Sequence, residues 1–173
     1  MLNPSLIDPV HMPPSFVCEA GKYTVVDALT EEDILTAAKS IISRRFTATN
    51  VLNSTALSKQ FFITRLSELE CEVFCVTFLN NQCQLLACEQ MFRGSIRSAA
   101  VYPREIVKRA LVLNAGQVIL AHNHPSGQVK PSGDDLKITE EIQVALALID
   151  VKVVDHIIVG GTQAMSFSEK GLL

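Results

Sequence analysis

No apolar stretch in this 173-residue chain approaches the ~20 residues of a membrane-spanning helix. A membrane protein of that kind is not expected. The opening MLNPSLIDPVHMPPSF has neither a basic n-region nor an apolar h-region, so it does not read as a secretory signal, and a cytoplasmic location is expected. Excess positive charge is missing too: the formal net charge is −3, where a nucleic-acid-binding domain normally shows a basic balance. Phosphate loops of the G-x-x-x-x-G-K or G-x-G-x-x-G type are absent, as are internal repeats and low-complexity segments beyond the first residues. The five cysteines, Cys18, Cys71, Cys75, Cys83 and Cys88, are odd in number and include no C-x-x-C pair. They read as reduced core residues of a cytosolic protein, not as a disulfide framework. Cys71 and Cys75 share one face of a strand, but no second cysteine pair completes a zinc site with them.

What is present fits one globular domain: 48% hydrophobic and 19% charged residues are ordinary for a packed core. Pro4, Pro9, Pro13 and Pro14 crowd the first fourteen residues, which rules out a helix or central strand there. Residues 1–27 are therefore expected to be a mobile Pro-rich tail. A helical N-terminal part is expected over 28–70. It starts at Thr30 with Asp33 three residues later and runs to about Arg45 through Ile34, Ala38, Ile41 and Ile42. A second helix, capped by Asn53 or Ser54, carries Leu57, Phe61, Phe62, Leu66 and Leu69. Cys71 to Leu79, the turn residues Asn80 and Asn81, and Leu85 to Phe92 read as a β-hairpin. Pro103 opens a helix that Asn114-Ala115-Gly116 stops, and Gln117 to Ala121 is a short buried strand. A last helix follows Ser132, with Ile138, Ile142, Ala145, Leu146 and Ile149 at helical spacing. Val151 to Val159 and Ala164 to Phe167, joined at Gly160-Gly161, close the chain as a second hairpin. Helices between strands predict an α/β fold, a mixed β-sheet flanked by helices.

The chemistry concentrates in HNHPSGQVKPSGDD, His122 to Asp135, which has the form H-x-H-x7-S-x2-D. A zinc ion that does chemistry takes three protein ligands of nitrogen and oxygen type and leaves a fourth position for water. His122, His124 and Asp135 meet that count. Side chains two apart in an extended segment point the same way, so the two histidines can face one ion at the end of the strand, and Asp135 closes the site from the next element. Taken alone, Ser132 and Asp135 read first as a helix capping box, and only the joint spacing to the two histidines turns the reading toward a metal site. The two readings are compatible, since a helix starting at Ser132 presents Asp135 from its first turn. The letters His122, Asn123, His124 do not make an HNH nuclease, whose namesake residues are dispersed through a ββα-metal unit. Asn123, Pro125, Ser126 and Gly127 shape the loop. His156, in an apolar strand, reads as a buried hydrogen-bonded histidine, and His11 carries no signal. Arg93, Arg97, Arg104, Lys108 and Arg109 form a local cationic run, read either as a solvated face or as a patch for an acidic partner.

These residues resemble the JAMM (MPN+) metalloprotease motif, and within that superfamily the RadC-like branch. The likeness extends to CEVFCVTFL (Cys71 to Leu79), VYPREIVKRAL (Val101 to Leu111), DHIIVG (Asp155 to Gly160) and the terminal SFSEKGLL. It implies a JAB/MPN-like (cytidine-deaminase-like) architecture over 71–173 and a zinc-dependent hydrolase cutting peptide, isopeptide or related amide bonds of an unidentified peptide or protein substrate. Zn2+ is the implied cofactor. Ser132 is the implied oxyanion donor, and a glutamate outside the motif is the implied general base. The family's E-x-F segment points to Glu72 in CEVF, an acid inside an otherwise apolar run; Glu89 is the alternative and Glu105, in a helix's first turn, a distant third. The competing classes are a non-catalytic MPN-like binding module and a DNA-repair accessory protein.

Overall fold

The run VFCVTFL leaves no side of its strand for solvent, and every residue of Val73–Leu79 is buried. Such a strand must sit inside a sheet covered on both faces. The computed structural model describes residues 13–19, 22–49, 52, 54–94 and 101–173, and it places this strand, β3, second in a five-stranded sheet. In chain order the elements are β1 (Phe16–Glu19), β2 (Lys22–Val25), α1 (Glu31–Thr49), α2 (Thr55–Leu66), β3 (Val73–Leu79), β4 (Leu85–Arg93), α3 (Pro103–Val112), β5 (Gln117–Asn123), α4 (Gly133–Ala147), β6 (Lys152–Gly160), β7 (Gln163–Ser166) and α5 (Phe167–Lys170). The large sheet runs β4-β3-β5-β6-β7. Only β5 and β6 pair in parallel, joined through α4; the other neighbours are antiparallel. This is the mixed, helix-flanked sheet expected from the sequence.

Alternation along the strands divides the core in two. On one face Phe61, Phe62 and Leu66 of α2 pack against Cys75, Cys88, Ile119, Ala121, Ile157 and Val159. On the other, Ile106 and Ala110 of α3 and Ile142 and Leu146 of α4 cover Phe74, Val76, Phe78, Val118, Leu120 and Val153. His122 continues the second set, two residues beyond Leu120, so the motif opens on the α4 face.

The helix signals behave as local chemistry requires. Thr30 and Asp33 bond reciprocally at the start of α1, Ser54 caps α2 by accepting from the Leu57 N–H, and Pro103 occupies the first turn of α3. Asn53, the alternative cap, lies outside the described residues. Four differences stand out. The expected tail 1–27 contains a two-stranded antiparallel sheet, with Phe16 opposite Val25; the sequence signal was masked by the prolines just before it. Ile34, placed on the buried stripe of α1, is 52% exposed, and Ala37 and Ser40 take the inward positions. β3 begins at Val73, so Glu72 precedes the strand. The chain also ends in a short helix, α5, closed by Gly171 at φ 66, where only a strand was expected. Arg97 and His11 lie outside the described residues.

Candidate metal centre

β5 delivers His122 fully buried and His124 half-buried at its C-terminal exit. α4 delivers Asp135 from its first turn, where Ser132 is the N-cap of a complete capping box. The Ser132 hydroxyl accepts from the Asp135 N–H at 3.1 Å and donates to Asp135 Oδ2 at 2.7 Å, and the Ser132 N–H donates to the same oxygen at 2.7 Å. Oδ2 is thereby held by the cap on the side of His124, and Oδ1 is left free toward His122. His122 Nε2 stands 3.1 Å from Asp135 Oδ1, and His124 Nε2 stands 3.5 Å from Oδ2. The two Nε2 atoms are 3.0 Å apart. One ligand atom from each of the three side chains lies within 4.8 Å of the others, close enough to share one ion. Among the described residues they form the one group of at least three His, Cys, Asp or Glu side chains close enough to share an ion.

The electrostatics match. Burial by itself would raise the Asp135 pKa, but hydrogen bonds with His122 and His124 outweigh it and hold the carboxyl well below the usual carboxylate range. His124 is raised above the ordinary histidine value, first by its hydrogen bond to Asp135 and further by the charges of Asp135 and Glu72. The His124 Nδ1 is 2.8 Å from the Gln128 carbonyl; a carbonyl only accepts, so Nδ1 carries a proton and the lone pair of the neutral ring lies on Nε2.

The loop between the ligands is clamped to β6. The His124 N–H donates to the Val159 carbonyl at 2.8 Å, and Gly127 turns at φ 78 with its N–H on the His124 carbonyl at 2.9 Å. Gly160 faces that turn closely enough that a Cβ there would lie 2.4 Å from the Gly127 oxygen.

Asn123 points to the opposite face and is buried. Its Oδ1 accepts from the Val73 N–H at 2.8 Å, while its amide donates to the carbonyls of Leu69 at 3.2 Å and Cys71 at 3.0 Å. The backbone on both sides of Glu72 is thus tied to the motif strand, and the Glu72 carbonyl accepts from the Gly94 N–H at 2.9 Å. In the β3–β5 register Phe74 stands opposite His122, and Glu72 and His124 lie just beyond the paired ends of their strands. Glu89 is engaged elsewhere: Arg109 Nε lies 2.9 Å from both its carboxylate oxygens. Glu105 pairs with Arg104 and Lys108 on the surface. These pairs partly neutralise the cationic run, in which Arg93 Nε also reaches the Cys71 sulfur at 2.9 Å.

Cys75 and Cys88 are buried, and burial pushes the Cys88 thiol up to about 11 and Cys75 well above its ordinary value. Such thiols stay protonated and inert. With Cys71 and Cys83 they are free of disulfides.

Comparison with known proteins places the chain in a family. The family model described as RadC-like JAB domain matches residues 52–172. The chain belongs to the RadC-like JAB family. The matched region begins ahead of residue 71, so α2 lies within the family domain. Family relatives include UPF0758 protein YeeS of Escherichia coli, 52% identical over 69% of this chain and 81% of the relative. UPF0758 protein YfjY of Escherichia coli is 46% identical over 87% of this chain and 94% of the relative. A UPF0758 protein of Thiobacillus denitrificans is 43% identical over 88% of this chain and 66% of its own length; the chain spans about half to two thirds of several such family relatives. No helix among the described residues is long and apolar enough to cross a membrane.

His156, read as a buried hydrogen-bonded histidine, is buried and has its Nε2 2.8 Å from His122 Nδ1, a partner that the sequence reading did not name. Thr139 stands behind it at 2.6 Å from His156 Nδ1. Burial pushes the His156 pKa well below the ordinary value, so the ring is neutral. The only sequence cue was spacing: Thr139 lies one helical turn after Asp135, on the same side of α4.

Proposed function

We propose that this chain is a zinc-dependent hydrolase of the JAMM type, cleaving a peptide, isopeptide or related amide bond. The observation that carries the reading is the group of His122, His124 and Asp135, whose ligand atoms lie close enough to share one ion at the exit of β5. Zinc held there would supply Lewis acidity toward a carbonyl and a water activated near neutral pH.

The chain's own groups divide the remaining work. Glu72, whose charge adds to the field that raises His124, takes a proton from the nucleophile and passes it to the leaving amine. The ion pair with Arg109 leaves Glu89 poorly suited to that task. Ser132 is exposed, and its hydroxyl proton, which rests on Asp135 Oδ2, swings to the oxyanion when a substrate is bound. Without substrate the same hydroxyl keeps Asp135 aimed at the histidines.

The test is elemental analysis of the purified protein, followed by a screen of peptide, isopeptide and amide substrates with zinc loaded. Glu72→Gln should retain zinc and lose ~100- to 10,000-fold in kcat. An active Glu72→Gln beside a zinc-retaining but inactive Glu89→Gln transfers the base to Glu89. Zinc-loaded wild type that binds a peptide yet cleaves nothing in the screen favours the binding-module class.

A further inference from the structure

His122 has two ring nitrogens and, as a neutral ligand, one proton. If that proton sits on Nε2, no lone pair faces His124 and Asp135. In the absence of an ion, the Asp135 carboxylate at 3.1 Å draws the proton to that wrong nitrogen. Something behind the ring must oppose it.

The groups behind the ring form one continuous chain of contacts. His122 Nδ1 lies 2.8 Å from His156 Nε2, His156 Nδ1 lies 2.6 Å from Thr139 Oγ1, and Thr139 Oγ1 lies 2.5 Å from the Asp135 carbonyl oxygen. Thr139, His156 and His122 are all buried to within 1% exposure, so no bulk water can supply an alternative partner. The direction of every bond follows from the far end. A peptide carbonyl can only accept, so the single Thr139 hydroxyl proton goes to Asp135 O. The hydroxyl oxygen is then an acceptor, and His156 must carry its proton on Nδ1. His156 packs between the Phe74 and Phe167 rings, at 5.5 Å and 4.6 Å between centroids, an apolar slot in which an imidazolium is costly. Its Nε2 therefore offers a lone pair, and the His122 Nδ1–H donates to it. In the neutral ring, the form that binds a metal, the His122 Nε2 then keeps its lone pair toward Asp135 and His124. The reverse order would set the Thr139 oxygen against a carbonyl oxygen at 2.5 Å with no proton between them.

We propose that Thr139 and His156 are positioning residues that fix His122 in its Nδ1–H tautomer and so present Nε2 to a metal ion. The inference rests on the reading that His122, His124 and Asp135 hold that ion. His124 obtains the same tautomer by a single contact with the Gln128 carbonyl; His122 obtains it through two side chains that end on the backbone of the third ligand. Occupancy of Asp135 and the tautomer of His122 are thereby set by the same turn of α4.

The test compares wild type, Thr139→Val and Thr139→Ser, each checked for cooperative thermal unfolding. Zinc affinity is measured by competition with a chromophoric chelator, and the His122 tautomer by nitrogen-15 NMR of histidine-labelled, metal-free protein. Wild type should show the Nδ1–H tautomer. Thr139→Val, nearly isosteric, should lose ~10- to 100-fold in zinc affinity and show Nε2–H character at His122. Thr139→Ser, which keeps the hydroxyl, should restore both. Unchanged affinity and tautomer in Thr139→Val overturn the inference while leaving the metal reading intact. If wild type binds no zinc, the metal reading falls first, and an Nε2–H tautomer in that metal-free protein overturns the relay independently.

Discussion

Asn123 shows how much a single motif residue does without touching the reacting atoms. Its amide is fully satisfied by one donor and two acceptors from the chain entering β3. Asn123→Asp keeps the shape but turns a carboxylate oxygen toward two carbonyls, leaving a buried charge unpaired. The expected cost is at least ~3 kcal/mol, read from denaturant melts, together with a loss of kcat larger than the loss of zinc, because Glu72 is released while the ligands are not. Equal loss of both would place Asn123 in general folding. His124 makes the second prediction at this scale. Its hydrogen bond to Asp135, then the nearby charges, raise its pKa. A group raised in the folded state contributes stability that is full below the unfolded value and fades as pH climbs through the folded one. Zinc needs the same nitrogen bare, so proton and metal compete. As pH is lowered from about 8 to about 6 zinc affinity should therefore fall, steepening toward about tenfold per pH unit where His124 is protonated, while the metal-free protein gains stability from the His124 and Asp135 pair. A zinc affinity flat across that range would remove His124 from the ligand set.

At the scale of elements, what the sequence disclosed followed the strength of local signals. The motif helix was readable because Ser132 and Asp135 form a capping box at fixed spacing, and α3 because proline and a left-handed Asn114 at φ 50 bracket it. Central strands were readable from apolar continuity. Ile34 was misplaced because the stripe Ile34, Ala38, Ile41 ignores which neighbours exist: α1 turns Ala37 and Ser40 inward instead. The candidate ligands were legible since two of them lie two residues apart at the end of one strand and the third lies in the first turn of a helix. The relay through His156 and Thr139 was not, since its members sit on β5, β6 and α4 and meet only after β5 and β6 pair in parallel. Gly160 belongs to this long-range category. A methyl there would approach the backbone of Gly127 and Gln128, which cannot rotate away as a side chain could. Gly160→Ala should shift the loop that carries His124, costing ~1–3 kcal/mol of stability and lowering zinc affinity. The equivalent change at Gly161, where no atom lies within 4 Å of a new Cβ, meets only the strain of its φ of 55 and should spare the metal. Matching effects at both positions would mean that the loop and β6 are not coupled.

The sheet splits the core of the molecule into two halves, and the site shares a face with only one of them. α2 and the cluster around Phe62 occupy one face, while His122, His156 and Asp135 open on the face covered by α4. Truncating Phe62, which has no exposed surface, should cost ~3–5 kcal/mol, yet the zinc affinity of the molecules that remain folded should change by no more than about twofold, since additivity holds for distant sites. His122→Ala should do the opposite. An ion bound by β5 and α4 together ties helix to sheet, and at a free concentration of about a hundred times Kd it stabilises the fold by about 2.7 kcal/mol. For a chain of this size each kcal/mol moves the melting temperature by about 2–4 °C, so zinc should raise wild type by ~5–10 °C, raise Phe62→Ala by a similar increment from a lower start, and leave His122→Ala unmoved. A zinc increment that vanishes in Phe62→Ala would show that the two faces unfold and bind as one coupled unit, and the sheet would then be transmitting packing to the metal centre instead of insulating it.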